Sequence, residues 1–502
     1  MKSIFKAVAV VTIFSVITRT LGFFFRIYLT RKLGAEGLGL YQMASSILGV
    51  FMTLIASGLP LSTAKSVSKY IANNQLRERN KVVTTSLIIA LFVAVISSAL
   101  LLVLKSVWGI ILTDSRAVEL IIIMIPSIIA SAVYAIFRGA LWGENNFFAC
   151  GLTELLEQII RFVLTVIMLI NVTDCFEATK LSSVAFNITC IVSAIITMFI
   201  YLKSAKFNFG RGEYKNLLKS AVPITGVRIA NSLVQPITTL IIPAMLLLAG
   251  YTQSEAVASF GVVMGMTIPL LYVPMTITGS ISMVLIPSIS SMLAKNEVDS
   301  IQTNVNKSLE VSIFFSMMFL PLYISVGDLI GIILYNNQMS GVMLQLGAIC
   351  MVPLTLCNLT GSILDALNME VKSFVNYIIG AVVLIVSLCV LTPLIGINSV
   401  IISFFLHMTT ISLLNYIKIK KVVPNIKLNI LPMIAKYAVI ILPCSLLGHF
   451  VANITINILP MFFACVVGGG ISMLATLILI YMFKVYDFGD LLALLKRKKK
   501  IN

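Results

Sequence analysis

Histidine is nearly missing from this chain: 502 residues contain two, His407 and His449. That leaves little material for a histidine metal cluster or a Ser-His-Asp triad. Charge is also scarce, at 11% of residues, and lopsided, with 36 Lys and Arg against 19 Asp and Glu. The eight cysteines form no CxxC pair and fall mostly inside apolar runs, so neither a disulfide framework nor a metal site is indicated. The run GAEGLG at 34–39 has the glycines of a phosphate loop but lacks the Lys-Ser/Thr ending and a preceding strand, and it reads as a tight turn. No nucleotide-binding domain is recognisable, which excludes ATP-driven transport by this chain alone. The expectation is a protein without metal or cofactor, and not an enzyme.

What the chain has instead is apolar length. Hydrophobic residues make up 59% of it and mean hydropathy is +1.05, values foreign to soluble domains. Runs of about 20 apolar residues separated by short polar loops fit membrane-spanning helices, which satisfy their own backbone hydrogen bonds. We count fourteen such spans, from 4–30 and 38–62 through 147–171, 217–248 and 256–287 to 459–483, and expect an all-α integral membrane protein. The N-terminal segment resembles a signal peptide, but its apolar run continues without a small-residue cleavage site, so it reads as a retained first helix. Lysine and arginine crowd alternate loops: Lys65 to Lys81, Lys203 to Lys219, Lys418 to Lys427, and the tail Lys496 to Lys500. By the positive-inside rule both termini are cytoplasmic. The net charge of +17 then reports topology and contact with anionic lipid, and nucleic acid is not needed to explain it.

The halves of the chain resemble each other. GLPLSTAKSVSKYIANN parallels VLIPSISSMLAKNE, and PSIIASAVYAIFRGAL parallels PLTLCNLTGSILDAL. Pro60 and Pro287, like Pro126 and Pro353, lie 227 positions apart. This gives a six-helix lobe at 1–203, a basic cytoplasmic linker at 204–216, a second six-helix lobe at 217–421, and two further helices with a basic tail at 422–502. Duplicated lobes are a common build for transporters. Because two lobes already enclose one pathway, a monomer is the default.

Ionisable residues inside spans mark candidate function, because burying charge in a bilayer costs roughly 2.5–3.5 kcal/mol on insertion scales. Arg19 and Arg26 lie seven apart on one face of the first span with Gly22 between them, and the first 35 residues hold no carboxylate to pair with them. Arg138 ends the fourth span, and Arg228 lies early in the seventh. Glu154, Glu157 and Arg161 share the fifth at a spacing that also suits pairing along one helix. Asp365 holds the repeat position of Arg138, and both also fit an interfacial reading. Pro223, Pro236, Pro243, Pro269, Pro274 and Pro287 interrupt spans seven and eight, where each favours a kink.

TRTLGFFFRIYLTRKLGAEGLGLYQ, followed by ASGLPLSTAKSVSKYIANN, resembles the start of the stage V sporulation protein B family, polysaccharide transporters of the multidrug/oligosaccharidyl-lipid/polysaccharide exporter superfamily. The resemblance covers essentially the whole chain, and Gly34 to Gln42 is its most specific part. It implies a flippase that moves undecaprenyl-linked saccharide precursors across the bacterial cytoplasmic membrane by alternating access, for spore cortex peptidoglycan. Cell-wall synthesis enzymes join the anionic lipid-linked saccharide and membrane lipids as candidate partners. The related lipid II flippases have a similar first helix, Ser-Arg-x-x-Gly and then a second arginine, in the central cavity. Thr18, Arg19 and Gly22 fit that pattern, while Arg26 follows the glycine by four residues rather than three. On these grounds Arg19, Arg26, Arg138 and Arg228 are expected to bind substrate, and Asp365, Glu154, Glu157, Arg161 and Gly22 to serve coupling or gating. Asp365 as a cation or proton site, or the membrane potential acting on the headgroup, would supply the energy. The rival readings are a multidrug cation antiporter of the same superfamily and a non-transporting scaffold for cortex assembly.

Overall fold

The computed structural model describes residues 2–209, 214–295, 297–423, 430–483 and 485–486. Arg211 of the expected linker, Lys427, and the tail Lys496 to Lys500 lie outside the described residues. Within them every regular element is a helix. The chain divides into two compact units, Met1–Gly261 and Val262–Asn502.

The first unit contains α1 (Lys2–Ala56), α2 (Gly58–Ala72), α3 (Leu76–Val103), α4 (Lys105–Ile111), α5 (Arg116–Met124), α6 (Pro126–Gly143), α7 (Phe147–Leu169), α8 (Cys175–Leu202), α9 (Tyr214–Ser232), α10 (Val234–Leu248) and α11 (Gln253–Phe260). Twelve stretches among the described residues are long and apolar enough to cross a membrane, against the fourteen expected. One difference is that 4–30 and 38–62 run together within Val10–Ala72. The other is α7, whose Glu154, Glu157 and Arg161 make it too polar to count on composition alone.

The expected turn at 34–39 is a single-residue bend. Gly34 alone leaves the helical region, at φ 64° and ψ −173°, a conformation costly for any residue with a Cβ. The two glycines after it serve packing instead: a Cβ at Gly37 would sit 2.6 Å from Thr179 Oγ1, and one at Gly39 would sit 2.2 Å from the Val257 carbonyl oxygen. On the same side, Arg116 bonds to Asp114 at 2.7 Å and also to Glu36, joining the bend to the start of α5. Helices 214–260, which the repeat assigns to the second lobe, pack within this first unit through small residues. At Gly58 a Cβ would meet the Ala221 carbonyl oxygen at 2.1 Å.

The second unit follows a π-helical stretch, Gly261–Thr267, with α12 (Ile268–Leu271), α13 (Met275–Ala294), α14 (Val298–Tyr335), α15 (Gln338–Gly347), α16 (Met351–Ala366), α17 (Glu370–Ile395), α18 (Asn398–Val422), α19 (Ile430–Thr455) and α20 (Met461–Met482). Its core draws Ile313, Phe314, Leu359, Ile363 and Ile480 together. Asn415 donates to Thr360 at 3.2 Å and accepts from Asn376 at 2.9 Å, so the buried amides of α17 and α18 are satisfied across the bundle. Of the prolines expected to interrupt spans seven and eight, Pro274 precedes α13 and Pro269 lies in the first turn of α12, whereas Pro223, Pro243 and Pro287 lie inside α9, α10 and α13.

One ion pair closes the base of the first unit. Arg79 Nη1 meets Glu144 Oε1 at 3.0 Å, Nη2 donates to the Ser204 carbonyl at 3.0 Å, and the two side chains are only 8% and 11% exposed. Burial raises the Glu144 carboxyl above its ordinary range even with Arg79 drawing it down. Breaking such a pair strands a buried charge and costs about 3–5 kcal/mol. Arg79→Ala is therefore expected to lower the melting temperature in detergent by several degrees, and Arg79→Ala with Glu144→Ala to recover part of that loss.

Candidate functional site: an arginine-lined cavity

The turn between α6 and α7 decides what meets inside the first unit. Asn145 ends α6 in the left-handed conformation at φ 58°, which asparagine tolerates better than most residues. The Asn146 side chain then caps α7 by accepting from the Ala149 N–H at 3.1 Å. The two helices return past each other, so Arg138 near the end of α6 reaches Glu154 on α7, Nη2 to Oε2, at 2.5 Å. One turn farther along α7, Glu157 Oε1 holds Arg161 Nη2 at 2.6 Å. Arg161 also lies 5.0 Å from the Phe186 ring of α8, a cation–π contact.

These groups border a cavity of about 630 Å³ lined from α1, α2, α6, α7, α8 and α9. Arg138, Glu157, Arg161 and Arg228 line it with Tyr134, Phe186 and Ser193. Counting Glu154, paired to Arg138, three guanidinium groups face two carboxylates. Neither paired arginine is saturated: a guanidinium carries five N–H donors, and the Nε atoms of Arg138 and Arg161 have no partner. Their side chains remain 35% and 23% exposed. The Ser193 hydroxyl is likewise buried without a partner. Arg228 makes no ion pair among the described residues. The arrangement suits an anion with several oxygens, which planar guanidiniums bind through parallel hydrogen bonds.

Comparison with known proteins places the chain in a family. The sequence profile of the polysaccharide biosynthesis protein family matches residues 4–293. The chain belongs to that family. Two relatives are similar to it over most of their length: stage V sporulation protein B of Bacillus subtilis (strain 168) is 24% identical over 442 residues, 85% of each chain. Lipid II flippase MurJ of the same organism is 19% identical over 448 residues, 82% of this chain and 81% of that one. Among solved structures, lipid II flippase MurJ in an inward closed conformation aligns with TM-score 0.73 at 15% identity, covering 96% of this chain and 99% of that one. An inward-facing multidrug resistance MATE family transporter of the MOP superfamily aligns with TM-score 0.69 at 14% identity, covering 82% and 96%. The chain is thus a multi-pass integral membrane protein with the fold of these transporters, similar in sequence to both Bacillus proteins.

Of the residues singled out in the sequence, the cavity gathers Arg138, Glu157, Arg161 and Arg228, with Glu154 adjoining. Arg19 and Arg26 are not among its lining residues. Arg19 is exposed on α1 and Arg26 is half-buried. Gly22 faces α7, where a Cβ would stand 3.5 Å from Gln158 Nε2. Asp365 belongs to the second unit, exposed near the end of α16. The pairing on α7 differs from a closed intrahelical set, since Glu154 turns to Arg138 and only Glu157 serves Arg161. Tyr134, Phe186, Ser193 and Trp142 carry no signal in the sequence, being uncharged residues in apolar helices.

A diphosphate probe should distinguish these roles. Arg161→Ala is expected to weaken binding of inorganic pyrophosphate to the detergent-solubilised protein at least tenfold, about 1.4 kcal/mol, as read by calorimetric titration. Glu157→Gln, which releases Arg161 from its carboxylate, is expected to tighten it.

Proposed function

We propose that this protein is a flippase for an anionic lipid-linked saccharide, an undecaprenyl-linked peptidoglycan or related polysaccharide precursor, working by alternating access in the bacterial cytoplasmic membrane during spore cortex synthesis. The observation that carries the reading is the unsaturated pair Arg138 and Arg161 together with Arg228 at one cavity. A diphosphate brings the acceptor oxygens these donors lack, while its polyprenyl tail stays in lipid. Kinship to a sporulation protein and to a lipid II flippase supports the same choice of substrate. An organic cation, the cargo of a multidrug antiporter, would meet a surplus of like charge there, although the MATE fold is shared.

The topology we propose has fourteen crossings, obtained by dividing Val10–Ala72 at Gly34 and adding α7 to the twelve apolar stretches. Both termini are then cytoplasmic. Two six-helix lobes, 1–203 and 217–421, follow from the sequence repeat. Arg19 and Arg26 serve the approach of substrate on this reading. Asp365 and the membrane potential stand as alternative sources of coupling energy.

The test is translocation of a fluorescent lipid-linked peptidoglycan precursor in proteoliposomes. Wild type is expected to move it, with Arg138→Ala, Arg161→Ala and Arg228→Ala each slowing transport at least tenfold. Arg19→Ala and Arg26→Ala should slow it less, because neither residue lines the cavity. A wild type that moves nothing, with or without a membrane potential, would overturn the proposal in favour of another glycan or a scaffold.

A further inference from the structure

Beside the arginine cavity lies a second chamber of about 460 Å³, and the two share Leu61, Ala64 and Trp142 as walls. Their chemistry differs. The second chamber is lined by Ser62, Lys65, Ser68, Asn145 and Ser220, with no carboxylate and no guanidinium. Ser62 is 4% exposed, and its hydroxyl has no hydrogen-bond partner in the protein. A buried hydroxyl left unpaired is costly, so a ligand oxygen or amide reaching it recovers energy that the fold leaves unclaimed. The size lies within the ~300–1,000 Å³ usual for small-ligand sites.

Trp142 stands at the junction. Its indole meets the Phe147 ring edge-on, centroids 5.4 Å apart and planes at 89°, which fixes its orientation, and the residue is 44% exposed. An aromatic face is electron-rich, and a pyranose ring presents polarised C–H bonds on one side and hydroxyls around its rim. Such a ring can lie against indole while its hydroxyl and acetamido groups meet serine, asparagine and lysine donors.

We propose that the second chamber is the saccharide subsite of the lipid-linked ligand, with Trp142 as the stacking platform between sugar and diphosphate. The proposal rests on the flippase reading above and adds to it where the uncharged half of the headgroup goes. It makes Trp142 and Ser62 determinants of specificity for glycosylated over bare lipid diphosphate, a role separate from the charge recognition of the arginines.

The experiment uses two probes, undecaprenyl diphosphate bearing a disaccharide and undecaprenyl diphosphate itself, with the full chain in proteoliposomes. We expect Trp142→Ala to cut the ratio of glycosylated to bare lipid transported at least tenfold, Trp142→Phe to restore most of it, and Ser62→Val to lower it several-fold. Arg161→Ala should lower transport of both probes together. The chain has only two tryptophans. In a Trp108→Phe background the emission of Trp142 is therefore a direct readout, expected to shift with the glycosylated probe and not with the bare one. If Trp142→Ala leaves the transport ratio unchanged and Trp142 emission ignores the sugar while both lipids are moved, the subsite is overturned and the flippase reading stands. If wild type neither moves nor binds either lipid, the flippase reading itself falls.

Discussion

A guanidinium inside an apolar helix bundle must be supplied with acceptors, and in the first unit that demand is met only in part. The α6–α7 turn brings one carboxylate to Arg138, and helical spacing brings another to Arg161. Much of the local structure follows from holding those two contacts. Asn145 must take the left-handed conformation for the helices to return at the right angle, and Asn146 must cap α7 so that its first turn is not left with unpaired donors. The Arg79–Glu144 pair then pins the same turn from below, tying it to the residues after α8. Loss of that geometry would leave charge without acceptors in a setting of low dielectric, where the penalty is largest.

Close helix approach is the second condition, and glycine sets it. Gly139 on α6 would place a Cβ 2.6 Å from the Pro60 carbonyl oxygen, and Gly151 on α7 would place one 2.6 Å from the Phe14 ring. Arg138 and Arg161 therefore lie on helices that make contacts allowing no side chain, which fixes the helices that carry them. In a bilayer, where apolar contact with lipid competes with apolar contact between helices, such small-residue crossings supply the packing that burial alone does not.

Apolar run length made the helices legible in the sequence. The spans at 83–104, 373–393 and 397–417 correspond to Leu76–Val103, Glu370–Ile395 and Asn398–Val422, with ends that differ by one to seven residues. The glycine-rich run at 34–39 was legible as a break but not as a one-residue bend, because a helix can resume at once when only Gly34 leaves the helical region and Gly37 and Gly39 are needed for packing. The site was legible as residue types and not as a constellation. Helical periodicity places Arg19, Gly22 and Arg26 on one face, yet it does not say which neighbour that face meets, and α7 meets it at Gln158. Arg161 looks self-satisfied in the sequence because its partner is one turn away, and only the three-dimensional arrangement reveals how much of its donor capacity is left over. Trp142 and Ser62 have no sequence signature at all, since their importance comes from the walls of two adjoining chambers.

On the proposed function, the carboxylates opposite the arginines also bear on turnover. Three unopposed guanidiniums would hold a diphosphate through several charge-assisted bonds, and a carrier that binds its cargo this tightly in one state releases it slowly. Glu154 and Glu157 offer competing acceptors at 2.5 and 2.6 Å, so each bond gained with the ligand is offset by one weakened inside the protein. The ligand and the carboxylates then exchange places around the same donors. This lowers the net gain on binding without removing the selectivity for anions, because the surplus of positive charge remains. It also returns Arg138 and Arg161 to their carboxylates when the cargo leaves, so of the three cavity arginines only Arg228 is left without an ion pair among the described residues. Affinity that is moderate by construction is what a transporter requires, since cargo bound equally well in both facing states shifts no equilibrium and cargo bound too well in one traps it there.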